Sequence, residues 1–124
     1  MDILEFKNKA MAQDAQNTFS AFKGDVSMLP QSVQEFYRKC NPLDVEAIMG
    51  GNVVKFYQVN GLEVLQREYQ LEEDCFVFAT CNSDPIFLLE EKVFICCHGF
   101  HNCFDRTNYE LMADSFFGFL GMID

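Results

Sequence analysis

The residues of this chain best suited by type to chemistry are Cys96, Cys97, His98, His101 and Cys103. Thiolates and imidazoles are the ligands zinc takes in a tetrahedral site. The spacing argues against zinc: no CxxC pair and no HExxH occurs, and neighbouring residues of a strand send their side chains to opposite faces. A cysteine nucleophile activated by histidine is the second chemistry these types allow, but no partner acid or oxyanion loop can be picked out. The plainer reading is a strand of core thiols running into a polar loop with ordinary histidines, without metal or cofactor. Carboxylates are paired at Glu72-Glu73 and Glu90-Glu91, with Asp84 between. A general acid needs burial to raise its pKa, and these residues fall in predicted turns where water keeps them ionised. The chain has no GxGxxG, Walker loop, GxSxG or metal-triad pattern, so catalysis is not expected.

The elements that position these residues follow from apolar spacing and turn signals. Met11, Ala15, Phe19 and Phe22 recur at helical spacing and predict a helix from about Ile3 to Phe22, ending near Gly24. A second helix starts at Leu29-Pro30, where proline suits the first turn, and carries the stripe Val33, Phe36, Tyr37 and Cys40 up to Asn41-Pro42. Asp44 to Ile48 and Asn52 to Tyr57 read as strands joined across Gly50-Gly51. A short helix from Asn60 to Tyr69 follows, with Asn60 as its cap. Three dense apolar runs, Cys75 to Cys81, Ile86 to Leu89 and Val93 to Cys97, are separated by Asn82-Ser83-Asp84-Pro85 and Glu90-Glu91-Lys92. Tight connections between short strands make an antiparallel meander. Thr107 and Glu110 have capping-box spacing, and Tyr109, Met112, Phe116, Phe119, Leu120 and Ile123 predict a final helix from Tyr109 to Ile123. The sum is one α+β domain over residues 1–124, a mostly antiparallel sheet of five to six strands flanked by helices.

At 124 residues and 49% hydrophobic, with 14 Phe and no Trp, the chain can build a dry core without disulfide support. Nine basic residues against 19 acidic ones give a net charge of −10. Nucleic acid and anionic membranes repel such a surface, whereas a basic protein partner is drawn to it. An acidic surface that serves only solubility is the competing explanation. The first twenty residues carry Asp2, Glu5, Lys7, Lys9 and Asp14 and hold no apolar signal core. The longest apolar stretch, Phe116 to Ile123, is too short to cross a bilayer. The expectation is a cytoplasmic protein whose six cysteines stay reduced, since Cys96 and Cys97 are adjacent in a strand.

Three segments in order resemble the SUKH superfamily, which joins fungal cell-wall-assembly regulators with bacterial immunity proteins. Leu29-Pro30 followed by Val33, Phe36, Tyr37 and Asn41 is similar to its "LPxxYxxFxxxxN" opening. Phe78-Ala79-Thr80 with Asn82-Ser83-Asp84-Pro85-Ile86 resembles its "ATxxGDPxxL" hairpin, and Val93 to Gly99 its "VYxxxHG" strand. Leu111 to Leu120 looks like its "IAxSFEEFL" end. The resemblance covers about Leu29 to Leu120; Pro42 and Ser83 depart from it at positions where glycine is common. It implies a non-catalytic domain that binds and neutralises a cognate toxin, often a nuclease or deaminase. A regulatory or scaffold adaptor on the same fold is the alternative, and a small thiol- or zinc-dependent enzyme a third. The partner-binding residues expected are Glu72, Glu73 and Asp74 before the meander and Asp84, Glu90 and Glu91 within it. Because the groups are expected at opposite ends of neighbouring strands, only one of them would face the partner.

Overall fold

The computed structural model describes residues 1–96 and 106–124. Helix α1 (Ile3–Gln13) starts where the Asp2 carboxylate accepts a hydrogen bond from the Glu5 amide at 2.8 Å. It buries Ile3, Phe6 and Ala10, and leaves Met11 exposed. The expected long helix therefore stops early and in a different phase. Asp14 is extended, and its carboxylate takes the Gln16 amide at 2.9 Å, the side-chain-to-backbone bonding by which Asp and Asn compete with helix. Beyond it Thr18–Ser20 forms a strand, β1. Phe19 still reaches the core from β1, its ring edge-on to Phe6 at 6.2 Å.

Helix α2 (Gln31–Cys40) follows Pro30 and buries Val33, Phe36, Tyr37 and Cys40, the stripe its spacing predicts. Strand β2 (Asn41–Met49) turns through Gly50 and Gly51, at φ 57° and 82°, into β3 (Asn52–Phe56). Positive φ at both central residues matches the right-handed twist of the two strands, which is why glycines stand here. Helix α3 (Val59–Tyr69) is not capped by Asn60. Its first amide, on Val59, instead donates to Asn41 Oδ1 at 2.9 Å, so the cap comes from the start of β2.

The meander forms as β4 (Phe76–Cys81), β5 (Asp84–Leu89) and β6 (Lys92–Ile95). Asp84 and Pro85, expected in a turn, belong to β5, because Asn82 and Ser83 close the hairpin by themselves with φ 52° and 68°. The expected helix from Tyr109 to Ile123 does not form. A 3₁₀ turn at Arg106–Asn108 leads into β7 (Glu110–Ala113), and only Phe116–Leu120 is helical, as α4. The open side of β6 offers backbone partners to Glu110, Leu111 and Ala113, and that pairing overrides the helix propensity of Glu-Leu-Met-Ala. The cap is Ser115, which accepts from the Gly118 amide at 2.9 Å, and not the Thr107–Glu110 pair.

The sheet runs in sequence order from β1 to β7, each strand antiparallel to its neighbour. The class is α+β, with seven strands among the described residues where five to six were expected; β1 and β7 are the unforeseen ones. On one face the rings of Phe6, Phe36, Phe56, Phe78, Phe116 and Phe119 interlock, with Phe116 5.3 Å from both Phe36 and Phe78. These rings tie α1, α2 and α4 to β3 and β4. Phe87 points the other way: its neighbour Ile86 lies opposite Ala79, which lies opposite Phe56 on the ring side. There Phe87 stacks on Phe94 and meets the Tyr109 ring edge-on at 4.8 Å.

Candidate functional site

Antiparallel register decides which acidic residues meet. Phe76 pairs with Leu88, Leu88 with Val93, and Val93 with Ala113. The start of β4, the end of β5, the start of β6 and the end of β7 therefore share one end of the sheet. That end carries Glu72, Glu73 and Asp74 ahead of β4, Glu90 and Glu91 in the β5–β6 turn, and Asp114 after β7. Lys92 and Arg106 are the cations beside them. The expectation that the two acidic groups sit at opposite ends is thus corrected for Glu72–Asp74 and Glu90-Glu91, which the register brings to the same end. It holds for Asp84, which lies at the far end beside the turns at Gly50-Gly51 and Asn82-Ser83 and is half-buried opposite Cys81.

Arg106 divides the group. Its Nε donates to both oxygens of Glu72 at 3.0 and 3.1 Å, and one terminal nitrogen reaches Glu72 at 2.9 Å and Asp74 at 2.8 Å. This forked, charge-assisted contact neutralises part of the acidic knot within the chain and holds the guanidinium all the more firmly protonated. Glu73, Glu90, Glu91 and Asp114 project into solvent. Glu90 and Glu91 sit at φ 52° and 68°, a left-handed backbone in which glycine or asparagine is the usual occupant. Arg106 and Asp114 were not among the residues expected here. Arg106 lies more than thirty positions from its partners, so no local pattern announces it.

Among the described residues the thiols offer no second site. Cys40, Cys75, Cys81 and Cys96 are buried and in no disulfide. Burial pushes the thiols of Cys40, Cys75 and Cys81 up, away from the thiolate that a nucleophile or metal ligand requires. Cys97, His98, His101 and Cys103 lie outside the described residues. Among the described residues no group of three His, Cys, Asp or Glu is arranged to hold a metal ion, and no helix is long and apolar enough to cross a membrane.

A groove of about 740 Å³ runs between the start of α1 and the end of α2, floored by Ile3, Cys40 and Phe117. Lys39 on its rim is held by Glu35 at 2.7 Å. The acidic end of the sheet is the more distinctive feature, since it gathers six carboxylates against the two cations Lys92 and Arg106. Neither models of known protein families nor curated proteins give a match to this chain.

Proposed function

We propose that this chain is a non-catalytic binding module that neutralises a basic protein partner, in the manner of the SUKH-type immunity proteins it resembles. The partner class is a cognate bacterial toxin domain acting on nucleic acid, a nuclease or deaminase, encountered in the cytoplasm. The observation that carries the reading is the convergence of Glu72, Glu73, Asp74, Glu90, Glu91 and Asp114 at one end of the sheet, in a chain of net charge −10. An enzyme that works on nucleic acid presents a basic cleft, and a rigid acidic edge complements it in sign. The left-handed Glu90 and Glu91 add to this: carboxylates at backbone positions that favour glycine are better explained by a use outside folding.

Co-expression with the product of the adjacent upstream gene tests the reading, scoring cell survival and complex formation. Protection with a stable complex is expected. Folded protein that neither protects nor binds would remove the immunity reading. Charge reversal at Glu90 and Glu91 should chiefly slow association, as added salt should.

A further inference from the structure

The two edges of the sheet are finished differently. Strand β1 pairs only with the Asn41–Asp44 part of β2. Beyond it the edge of β2 is closed by side-chain amides. Asn17 accepts from the Glu46 amide at 3.0 Å and donates to the Glu46 carbonyl at 2.9 Å. Gln13 does the same for Ile48, at 2.7 and 3.0 Å, and the Asp124 amide also donates to the Ile48 carbonyl at 2.9 Å. These contacts close the Glu46–Ile48 edge of β2 to another strand, so that only the three residues of β1 remain as an edge on this side.

Among the described residues strand β7 has no such cover. Its ladder to β6 satisfies one side, and among the described residues no other hydrogen bond reaches Glu110, Leu111, Met112 or Ala113. The cross-strand row Val77, Phe87, Phe94 and Leu111 runs to this edge and stops there. Val77 and Phe87 are 1% and 0% exposed, whereas Leu111 is 54% exposed. Acidic residues stand at both ends of the strand, Glu110 as its first residue and Asp114 just after its last. A bulge at Met112 shortens the stretch available for pairing to a few residues.

We infer that the β7 edge is a strand-addition site for an extended, basic segment of a partner protein. The inference rests on the binding-module reading and gives it a geometry. Main-chain bonds to β7 would supply affinity, an apolar residue would continue the row past Leu111, and basic residues would meet Glu110 and Asp114. A second copy of this chain suits the edge less well. Antiparallel β7–β7 pairing sets Glu110 near Asp114 of the other copy and brings together two bodies of charge −10.

The test uses the full chain, labelled for amide NMR, and a seven-residue peptide alternating Lys and Val as probe. A control peptide of equal charge carries Pro in place of its central Val, which removes a donor and breaks the extended ladder. The alternating peptide should shift the amides of Glu110 to Ala113 and slow their hydrogen exchange. The Pro peptide should bind about tenfold or more weakly, as should the alternating peptide to Leu111→Lys. Equal binding of both peptides, mapped to Glu90 and Glu91, overturns strand addition while leaving the acidic-surface reading intact. Failure of both peptides to bind overturns strand addition, and the co-expression result then judges the function separately. A peptide-free dimer mapping to β7 puts a second copy there and also overturns it.

Discussion

The side-chain amide of Gln66 pairs with both backbone groups of Val77, accepting from its N–H at 2.7 Å and donating to its C=O at 2.6 Å. Strand β3 pairs with β4 only as far as Phe56 and Ala79, then leaves for α3, so Val77 has no strand neighbour on that side. Gln66, one face of α3, stands in for the missing residue and locks the helix to the sheet. Replacing it with Ala strands a backbone donor and acceptor. Gln66→Ala should cost about 1–3 kcal/mol, read from urea unfolding with an unchanged m-value. A loss below a few tenths would show that water replaces the amide at no cost.

Phe116 is the hub where α4 meets α2 and β4, 1% exposed and in edge contact with Phe36 and Phe78. Truncation leaves a cavity that rigid aromatic neighbours cannot close. Phe116→Ala should destabilise the fold by about 3–5 kcal/mol in thermal or urea unfolding. A change under about 1 kcal/mol would place α4 off the core.

Tyr37 is fully buried beside Phe36, and among the described residues its hydroxyl has no hydrogen-bond partner. Burial raises its pKa well above the ordinary phenol value, as expected of a group with nothing to stabilise its charge. Tyr37→Phe removes the stranded polar atom and keeps the ring. Stability should stay level or rise by up to about 1 kcal/mol. A clear loss would reveal a partner for the hydroxyl.

Under the proposed function, the β5–β6 turn sets folding against binding. Glu90→Asn with Glu91→Gly gives the residues its left-handed backbone favours, so stability should rise by up to about 1 kcal/mol. The same change removes two exposed carboxylates and should slow association with a basic partner. A variant that is more stable and binds as fast would free the turn from any role in recognition.

Burial raises the thiol pKa of Cys40, Cys75 and Cys81. The folded chain then holds protons that the unfolded chain releases. The sign follows: the contribution to stability is intact below the unfolded thiol value of about 8.5 and is lost as pH rises through that value towards the folded one. Unfolding midpoints should fall between about pH 8 and 10, with a shallower fall in Cys40→Ala. Midpoints flat across that range would contradict the shifts. In the folded protein these thiols should also resist thiol reagents until denaturant is added.

Local pattern was enough for the elements whose partners are near in sequence. Gly50-Gly51 and the short polar breaks between the apolar runs that begin at Cys75, Ile86 and Val93 define hairpins because tight turns leave the flanking strands nowhere else to pair, though the breaks are shorter than expected and Asp84, Pro85 and Lys92 join the strands. The stripe Val33, Phe36, Tyr37 and Cys40 defines α2 because one helical face must be buried. The acidic residues, too, are visible as pairs in the sequence. What only the tertiary structure decided is whatever depends on a distant partner. Thr18–Ser20 and Glu110–Ala113 have no strong strand pattern, and they are strands because β2 and β6 present open edges to them. Glu72 and Glu90 share one end of the sheet through antiparallel register, and Arg106 folds back on Glu72 and Asp74 from across the chain. The amides of Gln13, Asn17 and Gln66 close gaps in the ladder in the same way. Each such contact joins groups that are far apart in the chain, and a propensity read from neighbouring residues carries no information about a partner that only folding supplies.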